Sequence, residues 1–146
     1  MKHNYILDLL PYTEPFLFVD EIIFVSEESI SGSYTFSKEA FFYKGHFKNN
    51  PITPGVILTE CMAQIGLVSF GIYLLKNENV SEKSTFALSS TEIDFYLPVF
   101  PGEKVTVISE KIYFRFQKLK CKVKLLNAKD EIVAKGTISG MILKRE

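Results

Sequence analysis

The chain predicts an α+β fold in which an antiparallel sheet curves about one buried helix, and three observations carry that expectation. Residues Pro54–Lys76, 23 in all, run without an internal proline and are apolar on nearly every face, so they need cover on most sides. Strand-like stretches flank them, two before and four after. The 146 residues, 47% of them hydrophobic, suit a single domain spanning 1–146 with a substantial core. A disordered tail, a collagen-like repeat and a multidomain machine are excluded. A lone helix that is apolar all round requires a sheet wrapped about it, or a partner subunit over the remainder.

Taken in order, Tyr5 to Leu10 offers one or two helical turns, stopped by Pro11. Phe16 to Val25 is a β-rich run, interrupted by Asp20 and Glu21. After the polar Ser26-Glu27-Glu28-Ser29, alternation resumes with Ile30, Gly32, Tyr34 and Phe36 on one face, which predicts a hairpin. Residues 41–53, FFYKGHFKNNPIT, form an irregular loop. The long helix follows, with Thr53 expected as N-cap and Pro54 as its first helical residue. A membrane span is the rival for this segment, but Glu60, Gln64, Gly66 and Gly71 lie within it and strands flank it, so no span is expected. Further strands are predicted at 84–96, 104–116, 117–126 and 131–143. Asn127-Ala128-Lys129-Asp130 is a hairpin turn, and Pro101-Gly102 turns the chain ahead of the second of these strands.

Composition narrows the function classes less than it first promises. Seventeen basic residues balance seventeen acidic ones, which gives no argument for nucleic acid or a membrane surface. The balance hides an asymmetry: residues 1–100 carry a net charge of −6 and residues 101–146 a net of +6. Thirteen Phe and seven Tyr, without Trp, point to a wide apolar interior or simply to dense core packing. Cys61 and Cys121 show no CxxC spacing and read as free thiols in a reducing compartment. Met1 to Leu10 lacks a signal-peptide pattern, so a cytoplasmic location is expected.

Three features could carry chemistry. His46, in Gly45-His46-Phe47, sits just before the helix entrance; it is either a base or a loop histidine hydrogen-bonded to backbone. No HxxH or HExxH accompanies it, so no metal site is expected. Glu60 is the only acidic residue between Ala40 and Asn77. In an apolar helix it must be paired, protonated or in a cavity. Gln64 lies one turn on and can bond it, as a structural pair or as support for a general acid. At the helix entrance the amides of Gly55 and Val56 have no intrahelical acceptor, and the helix dipole favours negative charge there. An ordinary proline-started helix would look the same. Together, a base, an acid and an oxyanion-binding helix end suit proton abstraction beside a carbonyl with loss of a β-hydroxyl. Glu60 lies roughly 9 Å along the helix from Pro54, so the acid at a given site could come from a neighbouring chain.

The segment Gly45-His46-Phe47, Pro51, Pro54-Gly55-Val56, Glu60 and Ala63-Gln64 resembles the pattern GHFPxxPxxPGVxxxExxAQ of the 3-hydroxyacyl-[acyl-carrier-protein] dehydratase family of the hot-dog fold. Leu10-Pro11, Pro15-Phe16-Leu17, Val19-Asp20, Phe95, Pro98-Val99 and Pro101-Gly102 extend the resemblance over nearly the whole chain. It implies a homodimer, often three dimers to a hexamer, with sites at the dimer interface and no metal or redox cofactor. Carried over, His46 would take the α-proton and Glu60 of the other chain would help the β-hydroxyl leave as water. Gly55 would polarise the thioester carbonyl, with Val56 beside it, and Gln64 would support Glu60. Phe95, Tyr96 and Leu97 would line the acyl tunnel, and acyl carrier protein would deliver the substrate. The chain departs from the pattern at Lys48, where proline is usual, at Tyr12-Thr13-Glu14, and at Asp94 and Tyr96, where the family tends to place arginines.

Two alternatives are a hot-dog acyl thioesterase and a non-catalytic acyl-binding subunit. One further pattern stands apart from the site. Lys118, Lys120, Lys122 and Lys124 alternate with Leu119, Cys121, Val123 and Leu125, so one strand face is basic and the other faces the core. That face is either solvated or a steering surface for an acidic carrier protein.

Overall fold

In the computed structural model, residues 3–76 and 84–144 are described. A short helix α1 (Asn4–Leu9) precedes strands β1 (Glu21–Val25) and β2 (Ser29–Thr35), and a 3-10 turn (Phe41–Lys44) leads toward the central helix. That helix begins as α2 (Gly55–Ala63), passes through a π-helical stretch (Gln64–Ser69) and ends as α3 (Phe70–Leu74). Strands β3 (Ser84–Phe95), β4 (Lys104–Arg115), β5 (Lys118–Leu126) and β6 (Ile132–Lys144) complete the chain. All six strands join one antiparallel sheet in the order β1-β2-β4-β5-β6-β3. The sheet wraps the helix, which is the hot-dog arrangement.

Burial follows from the composition of the helix. Every residue from Cys61 to Gly71 is buried, and Met62, Ile65, Leu67 and Phe70 are fully enclosed. The facing side chains come from alternate sheet positions: Val105 and Val107 on β4, Leu119, Cys121, Val123 and Leu125 on β5, and Ile138 on β6. The helix is long and apolar enough to cross a membrane, yet the sheet covers it, so it is a core helix. Much of the aromatic content goes into one packed cluster. Phe18, Tyr34, Phe36, Phe42 and Tyr43 meet with ring centroids 4.6–6.4 Å apart, mostly edge to face. Both cysteines are free and buried, and burial pushes their thiols up, Cys121 to about 11.

Local polar bonds account for the departures from the expected elements. The π-helical stretch coincides with hydroxyls that reach helix carbonyls: Ser69 Oγ donates to Gln64 O at 2.7 Å and Ser109 Oγ to Gly66 O at 2.8 Å. The expected strand over Phe16–Val25 is realised only from Glu21 onward. Ahead of it the backbone is used by the helix instead: Gln64 bonds Phe16 O and the Phe18 N–H, and the Cys61 thiol donates to Phe18 O. The helix also starts one residue later than expected. Pro54 is the N-cap, with extended backbone (φ −58°, ψ 139°). Thr53 does not cap, because its hydroxyl is bonded to Tyr43 Oη and its N–H donates to Val99 O.

The turns behave as their residues demand. Asn127 Oδ1 accepts from the Lys129 and Glu131 N–H groups, and Asp130 takes the left-handed conformation at φ 62°. Gly102 supplies φ 85° ahead of β4. The β4–β5 connection uses Phe116 and Gln117 at φ 54° and 62°, a left-handed pair with no glycine or asparagine to announce it. Lys118, Lys120, Lys122 and Lys124 lie on the outer face of β5, opposite the buried Leu119, Cys121, Val123 and Leu125.

Gly136, in β6 between β5 and β3, packs directly against the β3 backbone. A Cβ there would lie 1.9 Å from the carbonyl oxygen of Glu92, an atom that cannot move aside without disturbing β3. Gly136→Ala is therefore expected to destabilise the fold by about 1–3 kcal/mol, read from the urea midpoint; an unchanged midpoint would contradict this packing.

Candidate active site

The loop after the 3-10 turn closes on itself and thereby fixes one imidazole. The Ile52 N–H donates to His46 O at 2.8 Å, and Phe47 and Asn50 exchange backbone hydrogen bonds at 2.9 and 3.0 Å. Asn49, at φ 61°, turns the chain between them. Within this frame His46 Nδ1 lies 2.9 Å from Ile52 O. A carbonyl oxygen only accepts, so Nδ1 carries the proton and Nε2 of the neutral ring is left as the basic nitrogen. The Phe47 ring stacks on the imidazole, with centroids 4.1 Å apart.

Glu60 sits on the second turn of α2, half-buried. Burial pushes its carboxyl above the ordinary carboxylate range, and the hydrogen bond from Gln64 opposes that rise in part. Gln64 is fully buried and fully used. Its Oε1 accepts from the Phe18 N–H at 2.8 Å, while Nε2 donates to Phe16 O and to Glu60 Oε2, both at 3.0 Å. The two backbone partners define which end of the amide is nitrogen, so the group meeting Glu60 is a donor. Tyr12 also stands near this carboxylate: burial and the Glu60 charge push its hydroxyl up. Nothing in the sequence singled out Tyr12 as a neighbour of a residue 48 positions away; only the path of the 10–20 segment brings them together.

The helix entrance supplies the third component. Pro54 O accepts from the Ile57 and Leu58 N–H groups at 2.9 and 3.0 Å, so those are the first amides satisfied inside the helix. Gly55 and Val56 precede them and keep their N–H groups directed off the helix end. Above Gly55 lies the Phe95 ring, which a Cβ at this position would meet at 3.4 Å. Val56 is 76% exposed. Tyr96 and Leu97 are also exposed, and both donate through their backbone to Val133 O at 2.7 and 3.3 Å. The Tyr96 ring lies 5.9 Å from the Lys135 ammonium. Among the described residues His46 and Glu60 make no hydrogen bond to each other; each is anchored by its own surroundings. From Gly55 to Glu60 the helix rises roughly 7.5 Å.

Chemically, the region offers an oriented imidazole whose Nε2 makes no hydrogen bond within the described residues, a carboxyl whose proton affinity burial raises, and two amides at a positive helix end. Among the described residues no group of three or more His, Cys, Asp or Glu side chains converges in a way that could hold a metal ion.

The FabA-like domain family matches residues 10–138 of the chain. The 3-hydroxyacyl-[acyl-carrier-protein] dehydratase FabZ of Geobacter metallireducens is 35% identical over 105 residues, covering 71% of this chain and 69% of that protein. The bifunctional enzyme LpxC/FabZ of Chlorobaculum tepidum is 30% identical over 146 residues, 98% of this chain, and the chain spans 30% of that enzyme's length. Among solved structures, the dehydratase heterocomplex ApeI:P from Xenorhabdus doucetiae matches 97% of this chain and 91% of its own, with a TM-score of 0.77 at 12% identity. The Escherichia coli PaaI protein of the phenylacetic acid degradation operon gives 0.64 at 16% identity, over 96% of this chain and 89% of its own. At those identities the two structures show a shared fold and nothing finer.

Two expectations follow from this geometry. Gln64→Leu keeps the volume but strands the buried Phe18 N–H and Phe16 O, so unfolding should become easier by about 2–4 kcal/mol; a loss under about 0.5 kcal/mol would contradict the bridge. The second concerns pH. A carboxyl whose folded pKa exceeds its unfolded one stabilises fully below the unfolded value, and that contribution is lost as pH rises through the folded value. Glu60→Gln removes the ionisation and keeps an acceptor for Gln64. Relative to wild type the variant should therefore gain stability between acid and neutral pH, measured by urea unfolding on both sides of the carboxylate range. An equal difference at both would show that Glu60 is not burdened by burial.

Proposed function

The chain belongs to the FabA-like family of 3-hydroxyacyl-[acyl-carrier-protein] dehydratases, and from that premise we propose how its own residues remove water from a 3-hydroxyacyl thioester on acyl carrier protein. The product is the trans-2-enoyl thioester, as fatty-acid or related lipid and polyene biosynthesis requires. His46 Nε2 takes the proton from C2, and the electron pair moves toward the thioester oxygen. The Gly55 N–H and the positive end of α2, with the Val56 amide beside it, hold the charge that develops there. Glu60 gives its proton to the C3 hydroxyl, which leaves as water as the C2–C3 double bond forms. Gln64 keeps the Glu60 carboxyl oriented through this step. The base gains one proton and the acid loses one, so a proton returned through solvent resets the pair.

The observation that carries this reading is the pairing of an oriented imidazole with a carboxyl whose proton affinity is raised by burial. The imidazole is held with Nε2 as its free nitrogen by Ile52 O, while burial favours the protonated form of Glu60. An elimination needs that division of labour. Phe95, lying on Gly55, together with Tyr96 and Leu97, forms the wall along which the acyl chain runs.

The site is shared between two copies of the chain. Strand β3, twelve residues long, is bonded only to β6 and ends the sheet, leaving a row of backbone groups to pair. The exposed apolar surface of Val56, Phe95, Tyr96 and Leu97 lies beside that edge, as an interface would. We take the assembly to be a homodimer, or three such dimers, of a single domain over 1–146 working in the cytoplasm. His46 would then face Glu60 of the other protomer.

Turnover of a 3-hydroxyacyl thioester tests both layers. His46→Ala and Glu60→Gln should each lower kcat by about a thousandfold with the fold intact; near-wild-type rates from either would overturn the mechanism. Equimolar mixing of the two inactive variants, with subunit exchange verified, should restore about a quarter of wild-type activity, because half of the mixed dimers' sites are intact. Absence of recovery would place both groups on one chain.

A further inference from the structure

We propose that the end of the β4–β5 hairpin, Ile112 to Lys120 with Met141 and Leu143 of β6 beside it, docks on the surface of an anionic lipid bilayer, a role independent of the dehydratase reading. The first ground is charge. After Glu110, which pairs with Ser29 of β2, β4 runs on for five residues, roughly 17 Å of strand. Over that length and back along β5 stand Lys111, Arg115, Lys118 and Lys120, and no acidic residue occurs between Glu110 and Asp130. The neighbouring strands bring none either. Lys118 pairs with Arg115 and Met141, and Lys120 with Tyr113 and Ser139. Past β6, Met141 and Ser139 meet Ala87 and Ser90 of β3. Glu28 and Glu110 stand at the foot of the hairpin, where the Lys111 N–H donates to Glu28 O at 2.9 Å. Arg115 and Lys118 lie directly opposite each other as like charges, which repel. The ion pairs among the described residues, Lys76–Glu27 and Lys104–Glu21, involve neither. Arg115 lies instead over the Tyr113 ring, 4.3 Å from its centroid.

The second ground is apolar surface in the same place. Phe116, at the turn, is 89% exposed, and Ile112, Met141 and Leu143 are exposed with it. Phe114, two residues earlier, behaves as a core residue and meets the Phe86 ring at 6.1 Å, so the core has its aromatic and Phe116 is surplus to it. Met141 and Leu143 share the outer face of β6 with the basic row, because Gly140 and Ile142 between them face the core. The turn is held in place: Phe116 and Gln117 take left-handed backbone, and Gln117 O accepts from the Ile142 N–H at 3.0 Å. That bond sets Leu143 level with the turn. Cations alone would suit any polyanion, and the apolar groups among them decide the partner. Single-stranded nucleic acid could stack on Phe116, but it leaves Ile112, Met141 and Leu143 without a counterpart. The headgroup layer of a bilayer takes aromatic and aliphatic side chains together, while the ammonium and guanidinium groups around them meet lipid phosphates.

The test is co-sedimentation of the whole protein with phosphatidylcholine vesicles, plain or carrying about 30 mol% phosphatidylglycerol. At low salt wild type should bind the anionic vesicles about tenfold or more above the plain ones, and added salt should shrink the difference. Lys118→Glu, Lys120→Glu together should weaken binding about tenfold or more, and Phe116→Ser about fivefold or more. The chain has no tryptophan, so Phe116→Trp supplies a single reporter. Its emission should shift to the blue on anionic vesicles and be quenched by brominated acyl chains. Absence of binding by wild type, equal binding to both vesicles, or an unshifted reporter would overturn the proposal. So would undiminished binding by Phe116→Ser, which would make the hairpin a general polyanion surface. Light scattering should give Phe116→Ser the wild-type mass; a smaller assembly would make the hairpin an interface between copies and overturn lipid docking. Turnover of a carrier-free thioester should stay within about twofold in every variant, since these residues lie outside the site. A wild type without turnover would sink the dehydratase reading, and the vesicle result would still decide the docking surface.

Discussion

A twenty-residue helix with apolar side chains on every face cannot be left in water, and the remainder of the chain is arranged around that constraint. The sheet encloses the helix completely from Cys61 to Gly71, where every side chain is buried. Enclosure then dictates the treatment of each polar group on the helix. Gln64 satisfies its amide with Phe16 O, the Phe18 N–H and Glu60, and Ser69 and Ser109 cap helix carbonyls. A buried donor or acceptor without a partner would cost about 1–3 kcal/mol, so these bonds are conditions for the wrap.

The first turns of the helix escape that enclosure, and the chemistry collects there. Gly55, Val56, Thr59 and Glu60 retain access, and the helix end presents free amides and a partial positive charge. Gln64 connects the two regimes. Its carbonyl oxygen and one N–H belong to the core, while the other N–H reaches the carboxyl at the boundary. The same burial that stabilises the helix thus raises the proton affinity of Glu60. His46, held by the loop that leads into the helix, approaches from outside the core. Structure and reactivity here share one cause, the point at which the sheet stops covering the helix.

Much of this was legible in the residues. The apolar run Pro54–Lys76 announced the core helix, period-two alternation announced the later strands, and Asn127 to Asp130 announced their hairpin. Glu60 and Gln64 stood out because polar residues are rare in that run, and His46 because it is one of two histidines and sits just before the helix entrance. What could not be read depended on partners far away in sequence. The extended path through Phe16 to Asp20 exists because Gln64, 46 to 48 residues on, takes its backbone groups. The π-helical stretch coincides with a contact from Ser109, 43 residues beyond Gly66. Thr53 carried a good N-cap signal, but Tyr43 engaged its hydroxyl and the cap moved to Pro54. The left-handed Phe116 and Gln117 had no local signature at all. Local rules succeeded where the backbone was satisfied locally, and failed where a distant side chain competed for it.

The net charge of zero is a sum over unlike surfaces: an acidic first hundred residues and a basic final forty-six. Within the latter, the β5 lysines cluster on one face. The dehydration itself is tested most directly by the product of a single reaction. Purified protein given a 3-hydroxyacyl thioester should produce ultraviolet absorbance of a conjugated enoyl thioester, with no thiol released. Release of free thiol with the hydroxyl group retained would contradict the account and make the protein a thioesterase.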